Sequence, residues 1–204
     1  KTNKIELAND ANLSWKYSTD GGDNWTDGSG DSFELSDDEY AAGQIIVKNI
    51  DSVYNESQID NSGRITIDTT SPTMTITATG SSGALASGST TTDRSITLTF
   101  TSSERTEDFT IGDIKINDEI LSESYTLNPV GSDGKSYTTN FSPLSDDTYT
   151  ITVDADSFTD EAGNDNTSGS FIWTRDTTAP TLTAVSIAGP ADHPTHAKAD
   201  DTVI

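Results

Sequence analysis

The 204-residue sequence predicts an all-β fold of tandem sandwiches, and three observations carry that prediction. Apolar residues fall in short alternating strings. Turn-forming residues fill the spaces between the strings. The whole pattern then repeats with a period near 109 residues. Alternation over roughly four to eight residues marks a half-buried strand. It occurs at Ile5–Leu7, at Leu13, Trp15 and Tyr17, at Ile45–Val47 and at Ile65–Ile67. It continues at Met74–Ile76, at Ile96, Leu98 and Phe100, at Phe109–Ile111, at Tyr149, Ile151 and Val153, and at Phe171–Trp173. Thr, Ile and Val dominate these strings, as residues suited to a pleated surface do. The intervening Gly, Asp, Asn and Ser clusters make turns, and no window of helical period interrupts the series.

The repeat is read from three landmarks. Asp68-Thr-Thr-Ser-Pro72 returns as Asp176-Thr-Thr-Ala-Pro180, Ser36-Asp-Asp-Glu-Tyr40 as Ser145-Asp-Asp-Thr-Tyr149, and Asp51-Ser-Val-Tyr-Asn55 as Asp160-Glu-Ala-Gly-Asn164. One offset shared to within a residue indicates tandem domains. The expected division is residues 1–70 as a domain lacking its first strand, 71–179 as a complete domain, and 180–204 as the start of a third, with Leu182–Ile187 and the string from Thr202 as its opening strands. About seven strands in a unit of about 108 residues, with frequent turns, predict immunoglobulin-like β-sandwiches joined by short Pro-containing linkers. Trp15 on an early strand, and Tyr40 and Tyr149 beside a late one, fit the buried tryptophan and the tyrosine corner of such folds. Pro72 and Pro180 fix φ and hold the preceding residue extended, which makes each linker semi-rigid.

Composition removes several function classes. The net charge is −23, with 34 acidic residues against 11 basic ones. Nucleic-acid binding needs a basic face to release phosphate counterions, and anionic lipid surfaces repel an acidic one. No apolar run approaches the roughly 20 residues that span a bilayer, so no membrane insertion is expected within this segment. Without cysteine there is no disulfide framework, thiolate nucleophile or Cys-ligated zinc. Low hydrophobicity at high net charge also characterises disordered chains, but the regular alternation argues against that. Lys1 opens no signal peptide and reads as the start of a cut fragment.

The stretch Trp15-Lys-Tyr-Ser-Thr-Asp-Gly-Gly-Asp-Asn-Trp25-Thr-Asp-Gly-Ser-Gly30 resembles the bacterial Ig-like repeats of very large secreted surface adhesins of the biofilm-associated and RTX types. Ser157–Asn164 followed by Phe171–Pro180 resembles a closing signature of the same repeats. The resemblance implies an extender module that spaces a distal binding region from its anchor. Its partners would be neighbouring Ig-like domains of the same chain, its location secreted or at the cell surface, and calcium would stiffen some domain junctions. Val53-Tyr54 departs from the Ala-Gly of the second copy, which weakens a calcium site at the upper end of the first domain.

Topology leads to the same ion. In such a sandwich the BC and FG loops face the preceding domain. Asp68 in the linker therefore arrives beside Ser102–Asp108 and Asp160–Asn164. That gathers Asp68, Glu104, Asp160 and Asn164, with Asp108 and Glu161 nearby, and Asp176 repeats Asp68 at the next junction. Calcium takes six to eight hard oxygen ligands, and without a cation these carboxylates repel one another. The same residues also read as ordinary solvated turn carboxylates.

Other chemistry is thin. Asp154-Ala-Asp156 lacks the glycine and closing glutamate of an EF-hand, and Asp20-Gly-Gly-Asp23 reads as a hairpin turn. Asp37-Asp38 and Asp146-Asp147 read as turn caps, and His193 and His196 as loop residues. No serine has a base arranged beside it, and no pair of carboxylates faces across a cleft, so no enzyme is expected. Asn-X-Ser/Thr triplets begin at Asn12, Asn24, Asn55, Asn140 and Asn166 but are not diagnostic in a chain rich in Ser and Thr. Two alternatives stay open. One is a glycan- or protein-binding module using exposed aromatics such as Trp25 and Tyr54. The other is self-association into extracellular filaments, in which the first domain's missing strand comes from another chain.

Overall fold

A computed structural model describes residues 3–7 and 14–182. The first part of the chain contains β1 (Lys4–Glu6), β2 (Ser14–Ser18), β3 (Thr26–Asp27), β4 (Ser32–Glu34), β5 (Asp38–Tyr40), β6 (Ile46–Ile50), β7 (Glu56–Asp60) and β8 (Ile65–Ile67). The second contains β9 (Met74–Gly80), β10 (Gly83–Leu85), β11 (Ser89–Thr91), β12 (Ile96–Ser102), β13 (Ile114–Ile116), β14 (Glu119–Ile120), β15 (Asn128–Val130), β16 (Ser136–Phe141), β17 (Asp147–Val153) and β18 (Gly169–Arg175). No helix among the described residues is long and apolar enough to cross a membrane.

The second unit is a two-sheet sandwich. One sheet runs β10-β9-β12-β16-β15, the other β11-β18-β17-β13-β14. β9 and β12 alternate buried with more exposed residues, as do β17 and β18. Met74, Ile76, Leu98, Phe100 and Phe141 from one sheet therefore share a core with Ile114, Tyr149, Ile151, Val153, Phe171 and Trp173 from the other. Trp173 is fully buried, and its indole N–H donates to Thr91 Oγ1 at 3.0 Å, so the largest core side chain leaves its donor satisfied.

The first unit keeps a similar plan in shorter pieces. Its sheet β3-β2-β6-β7 matches the order β14-β13-β17-β18, while β5 pairs with β8 and β1 with β4. Trp15, Phe33, Leu35, Tyr40 and Ile45 form its core. Ile5 pairs with Phe33 in the first unit as Ile96 pairs with Phe141 in the second. β1 thus holds the place of β12. β12 lies between β9 and β16, whereas β4 is the only strand beside β1 among the described residues.

Both tyrosine corners are present. Tyr40 donates its hydroxyl to the carbonyl of Ser36 at 3.1 Å, and Tyr149 to that of Ser145 at 2.8 Å. One expected strand is replaced. Phe109 is buried within a loop, and Ile111–Asp113 form a single 3-10 turn. Asp113 draws the chain into that turn by accepting from the Thr110 N–H at 2.6 Å and its hydroxyl at 2.9 Å. The expected third-domain strands at Leu182–Ile187 and Thr202, and the two histidines, lie wholly or mainly outside the described residues.

Candidate functional site

The linker after β8 begins with an Asx-turn: the Asp68 carboxylate accepts from the Thr70 N–H at 3.0 Å. Asp176 does the same for Thr178 at 3.0 Å. The paired threonines are tied back to the preceding sandwich. Thr69 and Thr70 hydroxyls donate to Asp37 at 2.7 and 3.2 Å, and Thr177 and Thr178 hydroxyls donate to Asp146 at 2.9 and 3.0 Å. Of each Asp-Asp pair only the second caps its turn, Asp38 to the Glu39 N–H and Asp147 to the Thr148 N–H. The first receives the linker. These donors hold the carboxyls of Asp37 and Asp146 below the usual carboxylate range, led by Thr69 and by Thr177 respectively. Arg175, itself buried, adds an ion pair to Asp146 at 3.1 Å.

The far side of the same linker is held by the second unit. Asn164 Nδ2 donates to the Asp68 carbonyl at 3.0 Å, and the Thr73 N–H donates to Ser103 Oγ at 2.9 Å. The Thr167 N–H donates to the Pro72 carbonyl at 2.9 Å. Asn164 is itself fixed by Asp160, whose two carboxylate oxygens accept from its N–H at 2.8 Å and its Nδ2 at 2.9 Å. The matched pair Asp51 and Asn55 makes the same clasp at 2.8 Å for both bonds. There Tyr54 takes the left-handed φ of 68° where the second copy has Gly163 at 79°. The departure from Ala-Gly therefore leaves the turn's shape intact.

Asp68, Glu104 and Asp160 offer carboxylate oxygens that all lie within 4.8 Å of one another. Asp160 is 6% exposed, and the other two are half-buried. Burial, then the charges of Asp68 and Asp160, push the Glu104 carboxyl up, with Lys135 opposing. Asn164 joins the cluster through the Asp68 carbonyl. Asp108 does not face it: its carboxylate accepts from Thr106 Oγ1 and from the N–H and hydroxyl of Thr159, all at 2.8–3.1 Å. It ties the BC loop to the residue before Asp160 and so positions the FG clasp. Glu161 is exposed, and Asp176 sits at the opposite end of the unit, on the Thr91 carbonyl through its N–H. The donor set is hard oxygen throughout, the chemistry calcium takes.

The aromatic residues noted in the sequence divide. Trp25 is half-buried under the Lys48 ammonium, 4.3 Å from the ring centre, and Tyr54 is 87% exposed. The linker-receiving role of Asp37 and Asp146 is not evident from sequence, although their shared offset with the Asp-Thr-Thr motif was a usable signal. Asn166 is a second such residue. It is 2% exposed, accepts from the N–H groups of Ser157 and Phe158 at 2.8 and 2.9 Å, and donates to the carbonyls of Asp154 and Thr167 at 2.8 and 2.9 Å.

No curated protein matches the chain by sequence. Among solved structures, the Bacteroides ovatus mixed-linkage glucan utilization locus protein SGBP-B, solved in complex with a mixed-linkage heptasaccharide, aligns at 14% identity and a TM-score of 0.27. The alignment covers 86% of this chain and 42% of that one, so the chain spans about two fifths of its length. The model of the Bacterial Ig-like domain matches residues 68–174. That span starts at the linker Asp68 and ends on β18, taking in both the carboxylate cluster and the complete sandwich. The chain belongs to the bacterial Ig-like domain family.

Proposed function

We propose that this chain is a non-catalytic extender segment of a long extracellular or cell-surface protein of the adhesin type. Its work is to hold consecutive sandwiches at a set spacing. The observation that supports this most directly is the linker bound on both sides: Thr69 and Thr70 to Asp37 behind it, Asp68 and Pro72 to Asn164 and Thr167 ahead of it. The first half of that arrangement recurs at Asp146, Thr177 and Thr178, as a module repeated along a string requires.

Calcium fits this reading as a removable stiffener. Asp68, Glu104 and Asp160 would hold it, supplying hard anionic oxygens from the linker and both loops. An ion at 100 times its dissociation constant, bound only to the docked arrangement, adds about 2.7 kcal/mol to docking. In small-angle scattering at fixed ionic strength, the chain is expected to be extended and narrow in calcium, and shorter and more variable in excess chelator. Identical curves would remove calcium and leave the stiffness to the prolines and hydrogen bonds. A compact, variable particle in both conditions would remove the extender reading itself.

A further inference from the structure

Tension along a string of sandwiches enters and leaves each unit through its first and last strands. The second unit sets both on one axis. Met74 of β9 stands opposite Ser102, at the end that holds the carboxylate cluster, and Arg175 of β18 stands opposite Asp147 at the other end. Thr73 bridges in parallel to Thr167, so β9 and β18 run in the same direction. A pull between Pro72 and Asp176 therefore acts along both strands. The hydrogen bonds of an antiparallel ladder lie across its strands. Met74–Thr79 pair with Thr97–Ser102, and Gly169–Arg175 pair with Asp147–Val153. Such a pull strains the bonds of each ladder together, whereas a pull across the strands breaks them one after another.

β11 adds a second hold on β18. Ser89–Thr91 lie parallel to Trp173–Arg175, on the side of β18 away from β17. The chain reaches β11 from β9 through β10, so tension draws β11 toward the cluster end while β18 is drawn the opposite way. Four bonds outside the ladder oppose that slide. The Gly88 N–H donates to the Ile172 carbonyl at 2.7 Å, and the Asp176 N–H to the Thr91 carbonyl at 2.9 Å. The Ile172 N–H donates to Ser87 Oγ at 3.0 Å, and the Trp173 indole N–H to Thr91 Oγ1 at 3.0 Å. Trp173 is fully buried, so water does not compete for its bond, and the low local dielectric strengthens it. We infer that the second unit is built to resist stretching, and that the parallel pair β11–β18 is its clamp. Its use within a string rests on the extender reading; its resistance to a pull does not, and neither depends on calcium.

Single-molecule pulling on the full chain, which has no cysteine of its own, tests the clamp in two directions. Handles at Ser71→Cys and Ala179→Cys load β9 and β18 in shear. Handles at Leu144→Cys and Ala179→Cys load β17 and β18 from their shared end and unzip them. All three positions are exposed. Ser87→Ala combined with Thr91→Val removes the two side-chain bonds of the clamp, and circular dichroism checks that this variant stays folded. Forced unfolding reads the unfolding barrier, so the rupture force is expected to be about twofold or more higher in shear than in unzipping. The double substitution should lower the shear force and leave the unzipping force nearly unchanged. Equal forces in the two directions would overturn the inference while leaving the extender reading in place, since spacing alone needs no clamp. A high shear force that the double substitution does not lower would also overturn it, because the resistance would then lie in β9 and β12.

Discussion

Asn166 shows how one side chain can set a loop. The residue is 2% exposed, and all four of its side-chain hydrogen bonds are to backbone. Asn166→Ala removes the partner of the buried Phe158 N–H, and an unsatisfied buried group costs about 1–3 kcal/mol. Urea unfolding should show a loss of about 1–3 kcal/mol. In sequence Asn166 reads only as a glycosylation triplet, because nothing local reveals that it faces inward. Glu104 carries the opposite sign. Its folded pKa is raised, so the folded chain binds that proton more tightly than the unfolded one. The resulting penalty is present above the raised pKa and is relieved as pH falls toward the ordinary glutamate value of about 4.3. Glu104→Gln should therefore raise the melting temperature at pH 7 in chelator, lose that advantage near pH 4, and abolish any calcium-induced rise. Calorimetry with and without the ion reads all three.

Elements were legible where apolar residues alternate, as in β9, β12, β17 and β18. Strands such as β11 and β16 were not, because their Ser and Thr residues leave no apolar string to count. The Phe109 string misled for a different reason: Phe109 supplies core without strand pairing, and Asp113 captures the backbone in a turn. Turn and core are also coupled around β2. The Trp15 indole donates to the Gly30 carbonyl at 2.9 Å, and the Gly28 N–H donates to the Trp15 carbonyl at 2.9 Å. A Cβ on Gly28 would meet the Trp15 ring at 2.0 Å. Gly28→Ala must push the first unit's main core residue aside, at an expected cost of about 2 kcal/mol. The change should show as a red-shifted tryptophan emission together with a lower unfolding midpoint.

Across the whole molecule, the candidate site was legible because three landmarks at one offset marked the linker, and sandwich topology then set Asp68 beside the BC and FG loops. The linker's attachment to Asp37 was not, since turn capping already accounted for an Asp-Asp pair and the neighbouring Asp38 does cap. The pH behaviour of the string follows from that attachment. Folded pKa values lowered at Asp37 and Asp146 mean their contribution is present above the ordinary aspartate value of about 3.9 and is lost as pH falls through the lowered ones. Linkers should therefore loosen only in strong acid, with scattering at neutral pH and at pH 5 alike. The linker is gripped from both sides, by Asp37 and by Asn164. Because the chain has no cysteine, cysteines introduced at the exposed Glu34 and Ser132 can carry spin labels, and their distance distribution measured in calcium tests the grip directly. A single narrow distribution that broadens when Asp37→Ala and Asn164→Ala are combined is the predicted result. A broad distribution that the two substitutions leave unchanged would contradict it.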